Sequence, residues 1–156
     1  MITKLYNYRS GESVVPKDQL QGVCNILSSV NPHVRKNTVS EIREVILSGL
    51  AIQGWSGAFR IDVASKITIS SYKDGIGLCL QTGNISRIYA DLLKLQSLYL
   101  KGKIKAGIII LPQKVLAIKL ASNMVSYERL VGELSIFNQV ISMPLVIIGF
   151  NAEELL

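Results

Sequence analysis

Lys66-Ile-Thr-Ile-Ser-Ser-Tyr-Lys-Asp-Gly75, continued by Ile76-Gly-Leu-Cys-Leu-Gln-Thr-Gly-Asn84, decides the fold. In the first half, Ile67 and Ile69 alternate with Thr68 and Ser70, the period of two that puts successive side chains on opposite faces of a strand. Lys73-Asp74-Gly75 then supplies a tight hairpin turn, because Asp and Gly tolerate the left-handed backbone such turns need. On the return strand Ile76, Leu78 and Leu80 face one way and Gly77, Cys79 and Gln81 the other, which makes Cys79 and Gln81 neighbours on one face.

Working outward, Asn84 is placed to cap a helix in which Ile85, Ile88, Tyr89, Leu92, Leu95 and Tyr99 keep a helical period until Gly102. Ala106-Gly-Ile-Ile-Ile-Leu111 is a continuous apolar run closed by Pro112. It reads as a fully buried strand reached from the hairpin by a parallel crossover. A further helix is expected over Ser126 to Gln139, with Tyr127, Leu130, Val131, Leu134 and Phe137 inward, and a last buried strand over Pro144 to Gly149. Upstream, Leu20, Val23, Ile26, Leu27 and Val30 recur at helical spacing from Lys17 until Asn31-Pro32 stops the run. Thr38-Val-Ser-Glu41 has the form of a capping box opening a second helix that runs to about Ile52 and ends at Gly54. Helix, helix, hairpin, helix, strand, helix, strand is the order of an α/β domain, a mixed sheet flanked by helices.

The chain of 156 residues is 49% hydrophobic and 18% charged, which excludes a disordered segment and suits a single domain over residues 1–156. Its longest apolar runs fall short of the roughly 18 residues of a membrane span, and Met1 to Arg9 lacks the apolar core of a signal peptide. The expectation is a cytoplasmic protein with no membrane partner. Cys24 and Cys79 are far apart and have no ligand partners at zinc spacing, so reduced thiols are expected. Ser70-Ser-Tyr-Lys73 matches Ser-x-x-Lys without any companion motif, and Cys79 with His33 lacks an orienting third group; neither supports a nucleophile.

Gly77-Leu-Cys-Leu-Gln-Thr-Gly-Asn-Ile-Ser-Arg-Ile-Tyr-Ala-Asp-Leu-Leu-Lys-Leu-Gln-Ser-Leu-Tyr99, followed by Gly102-Lys-Ile-Lys-Ala-Gly-Ile-Ile-Ile110, resembles the core of the BglII-type restriction endonucleases, within the PD-(D/E)XK nuclease superfamily. The resemblance extends back through the second helix and Gly54-Trp55 and forward to Pro144-Leu-Val-Ile-Ile148. It implies a restriction-endonuclease-like fold, with an Asp on the first hairpin strand and Glu-x-Gln or Glu-x-Lys on the second holding Mg²⁺ beside a scissile phosphate. Laid onto this chain, the pattern puts Ser70 at the Asp, Cys79 at the Glu and Gln81 at the final position. Only Gln81 fits, since magnesium is a hard cation that takes anionic oxygen and a thiol is a soft donor. Asp62, Glu41 and Glu44 are the acids that a relocated metal site would draw on.

Seventeen basic against eleven acidic residues leave a net charge of +6, which favours an anionic partner. Between Arg87 and Lys119, Asp91 is the one acid among seven cations. Arg87, Lys94, Lys101 and Lys103 there, with Arg35, Lys36, Arg43 and Lys73, are the candidate DNA-binding residues. The leading expectation is a DNA-binding or scaffolding protein of low sequence specificity and lost catalysis, without a cofactor, acting as a homodimer or in a larger nucleoprotein complex. The alternatives are an active Mg²⁺-dependent deoxyribonuclease with relocated carboxylates and a protein-interaction subunit of a larger complex.

Overall fold

The computed structural model describes residues 2–31 and 33–152, so the expected stop at Pro32 lies outside the described residues. In chain order the elements are β1 (Ile2–Tyr8), α1 (Gly11–Val14), α2 (Lys17–Ser29), α3 (Thr38–Ile52), β2 (Phe59–Arg60), β3 (Thr68–Ile69), β4 (Ser71–Lys73) and β5 (Ile76–Leu80). They continue with α4 (Arg87–Leu100), β6 (Ala106–Pro112), α5 (Lys114–Leu120), α6 (Tyr127–Leu134) and β7 (Leu145–Asn151).

Five strands form a mixed sheet in the order β1-β7-β6-β5-β4, and β2 pairs with β3 in a separate two-stranded ribbon. β5, β6 and β7 run parallel, while β4 and β1 are antiparallel edges. The parallel strands are apolar throughout because helices cover both faces. On one face α2 and α3 bring Val23, Leu27, Ile46 and Leu50 onto Leu78, Ile108 and Val146. On the other, α4 and α6 bring Ile88, Leu95, Leu130 and Leu134 onto Cys79, Ile109 and Ile147. Close approach of α4 to β5 needs Gly77, where an added Cβ would stand 2.9 Å from Leu95. Among the described residues no helix is long and apolar enough to cross a membrane.

The hairpin has the expected turn: Lys73 pairs with Ile76, and both Asp74 and Gly75 take positive φ, 48° and 82°. Its first strand, however, is broken. β3 pairs with β2, β4 pairs with β5, and Ser70 stands at the break, where its Oγ accepts a hydrogen bond from the Leu80 amide at 2.9 Å. Ile69 is buried but Ile67 is exposed on the ribbon.

Other expectations are corrected by local hydrogen bonding. Thr38 and Glu41 form no capping box. Asn37 precedes α3, the Thr38 hydroxyl bonds back to the Arg35 amide at 2.7 Å, and Glu41 pairs with Arg35 at 3.1 Å. Asn84 makes a turn through its side-chain oxygen to the Ser86 amide, so α4 begins only at Arg87. α6 is capped by Ser126, whose Oγ accepts from the Arg129 amide, but it stops at Leu134 and not Gln139. β1, α1, β2 and α5 are additions to the expected order. β1 escapes a pattern search because it is an edge strand whose Lys4, Leu5 and Asn7 are exposed; the Tyr8 hydroxyl anchors it to the Ile141 carbonyl.

Candidate nucleic-acid interface

A cleft of about 770 Å³ opens at the end of β5, walled by α3, the β2–β3 ribbon and the first turns of α4. Its lining includes Arg43, Ser70, Leu80, Gln81, Thr82, Arg87, Asp91 and Lys94. Each comes from a different constraint. α3 presents Arg43 on the flank of the stripe that buries Ile42 and Ile46. β5 ends at Leu80, so the Gln81-Thr82-Gly83 turn carries polar side chains over the sheet edge. A Cβ at Gly83 would meet Gln81 Oε1 at 2.8 Å and Arg87 Cδ at 2.9 Å, so glycine leaves room for both.

At the floor, Gln81 and Asp91 are both buried. Gln81 Nε2 donates to Asp91 Oδ2 and its Oε1 accepts from the Gly83 amide at 2.8 Å, so both ends of the amide are engaged. Burial raises the Asp91 carboxyl above the usual carboxylate range, opposed by the Gln81 hydrogen bond and the positive charges of Lys94, Arg43 and Arg87. Lys94 Nζ lies 3.8 Å from Asp91 Oδ1, one turn along the helix. Arg43 Nη1 donates to the Leu80 carbonyl at 2.9 Å and to Thr82 Oγ1 at 3.1 Å. Partial burial lowers the affinity of that guanidinium for its proton, although Asp91 works the other way.

Cys79 shares the α4 side of the sheet with Gln81 but lies completely enclosed in the core there. Burial, reinforced by the Asp91 charge, raises its thiol well above the ordinary value and keeps it protonated. Ser70 reaches the cleft. Asp62, Glu41 and Glu44 do not line it: Asp62 accepts from the Ala64 amide in its own turn, Glu41 is paired with Arg35, and Glu44 is exposed on α3. Among the described residues no three His, Cys, Asp or Glu side chains converge as a metal site would need.

The basic residues divide. Arg43, Arg87 and Lys94 line the cleft, while exposed Lys101 and Lys103 follow the far end of α4. Arg35 and Lys36 are exposed ahead of α3, and Lys73 Nζ donates to the Gln53 carbonyl at 2.7 Å. Asp91 is the cleft carboxylate that charge counting registers only as an acid among cations. The signal was its position: three residues after Ile88 and four before Leu95, on the buried stripe of α4, where an acid has to find partners.

A five-stranded mixed sheet flanked by helices, with a polar cleft at the open end of its hairpin, defines a restriction-endonuclease-like fold. The structure superposes on BglII complexed with a DNA 16-mer with a TM-score of 0.86, 13% identity and coverage of 99% of this chain and 78% of that one. For free BglII the TM-score is 0.79 at 14% identity, covering 98% and 81%. The model of the family Restriction endonuclease BglII/BglIII matches residues 3–150, and the chain belongs to that family. It is also 31% identical over 118 residues to the type II restriction enzyme BamHI of Bacillus amyloliquefaciens, covering 76% of this chain and 54% of that enzyme. The chain therefore spans about half the length of that relative.

Proposed function

We propose that this protein binds duplex DNA through the cleft, with low sequence specificity, and does not cleave it. The observation that carries this reading is the donor set around Gln81. Mg²⁺ requires several oxygen ligands and favours carboxylates at such sites. Ser70 already takes the Leu80 amide, Cys79 offers a buried neutral thiol, and both ends of the Gln81 amide are spoken for. Among the described residues Asp91, bonded to Gln81 and beside Lys94, is the one carboxylate lining the cleft. This donor set does not fit a catalytic magnesium ion. Three cations against one acid give the cleft a net charge of about +2 by simple count, which suits a phosphate backbone.

The test is a duplex-binding and cleavage assay. Binding is expected with affinity falling steeply as salt rises, and no strand breaks with Mg²⁺ or Mn²⁺. Cleavage that disappears in Asp91→Asn would overturn the loss of catalysis, and a flat response to salt would favour a protein-interaction role. Homodimerisation belongs to the same reading. Leu93 on α4 and Val140 are 62% and 61% exposed and line an apolar groove beside Tyr89 and Phe137. Sedimentation of the wild type as a dimer, and of Leu93→Asp as a monomer, is the expected outcome.

A further inference from the structure

We infer that the Arg43 guanidinium takes over the electrostatic role of a divalent cation in this cleft, so that the protein holds the DNA phosphate backbone without any metal ion. The inference rests on the DNA-binding reading above and adds the means by which the phosphate is held.

Leu80 lies between the two positions, Cys79 and Gln81, where the family pattern sets metal ligands. Its carbonyl, at the end of β5, accepts from Arg43 Nη1 at 2.9 Å, and the same nitrogen reaches Thr82 Oγ1 at 3.1 Å. A unit positive charge is thus tied by one hydrogen bond to the backbone oxygen at the centre of that motif and by a second to the Thr82 hydroxyl beside it. Among the described residues these are the hydrogen bonds Arg43 makes, and both run from Nη1. Nε and Nη2 remain to meet a ligand oxygen, in the planar fork that suits phosphate. Arg87 and Lys94 on the opposite wall supply further cations, and Asp91, already bonded to Gln81, subtracts one. Several carboxylates in this place would turn negative charge toward the phosphates and weaken their attraction to these cations. In this cleft the sign is reversed before any ion arrives.

The experiment is fluorescence anisotropy of a labelled duplex with the full chain, in EDTA and in Mg²⁺ at matched ionic strength. Equal affinity in the two buffers is expected. Arg43→Ala should weaken binding about tenfold in both, as loss of a charge-assisted phosphate contact does, and should lower the salt slope by about one. Guanidinium chloride at low millimolar concentration, against an equal concentration of sodium chloride, should restore part of the binding to Arg43→Ala and none to Arg87→Ala. Arg43→Lys keeps the charge without the fork and should fall between wild type and alanine; it also serves if the alanine variant fails to fold. Binding that requires Mg²⁺, or that survives Arg43→Ala and Arg43→Lys undiminished in EDTA, would overturn the inference while leaving DNA binding intact. Absence of binding in both buffers would remove the DNA-binding reading itself.

Discussion

The two ends of α4 both carry cations and present them to different surroundings. At the N-terminal end Arg87, Asp91 and Lys94 line the cleft; past the C-terminal end Lys101 and Lys103 stand exposed beside Gly102. Arg87 and Lys101 are 14 residues apart, about 20 Å at 1.5 Å per residue, with Lys94 midway between them, so the basic run is divided between the cleft and the exposed far end of the helix. The energetics differ too. Cations at a helix C-terminus are favoured by the macrodipole, whereas Arg87 sits at the N-terminus, where no acid occupies the first turn. Arg87 meets an unfavourable dipole there, offset by its attraction to the Asp91 carboxylate one turn along.

The comparison breaks most completely if the helix is loosened between its ends. Leu95 is fully buried against Gly77, so Leu95→Ala should cost about 2–5 kcal/mol in a denaturant titration and weaken DNA binding with it. Next in size, Arg87→Ala should lower duplex affinity about tenfold. The Lys101→Ala, Lys103→Ala double variant should lower it less than Arg87→Ala alone, and equal losses would merge the two clusters into one surface.

A smaller effect separates function from stability at the cleft end. Because burial raises the Asp91 carboxyl in the folded state, the folded protein binds that proton more tightly than the unfolded chain does. Its ionisation therefore costs stability, and the cost grows as pH rises from the usual carboxylate range through the raised folded value. Asp91→Asn, which keeps an acceptor for Gln81, should flatten that part of the stability profile followed by thermal melts. Smallest of all, Arg87→Ala should change stability by less than about 1 kcal/mol at low salt, because relief of the unfavourable charge–dipole interaction is opposed by the lost attraction to Asp91. A variant that loses both affinity and stability would show that the attraction to Asp91 outweighs the dipole.

The hairpin was legible because a short-range rule governs it. Asp74-Gly75 accepts positive φ, and period two sorts Leu78 from Cys79 whatever the rest of the chain does. The strands β6 and β7 were legible because apolar runs without alternation belong between two helical layers. The capping box failed for the opposite reason: Thr38 found closer partners in the Arg35 amide and the His33 carbonyl, and no local spacing rule anticipates that competition. At the site, Gln81 and the positive residues could be named in advance. That Asp62 is turned to its own loop and that Asp91 meets Gln81 could not.

By itself the amino-acid sequence determined the hairpin, the buried parallel strands, the main helices and the sign of the charge, since each depends on residue type and spacing along a few turns of chain. Tertiary structure alone decided which charges share a cleft and which single carboxylate reaches its floor. Packing of α4 on Gly77 brings Asp91 to Gln81, and α3 carries Arg43 to the Leu80 carbonyl, 37 residues away in sequence. Coulomb interactions fall with distance through space, and along the chain that distance is not written.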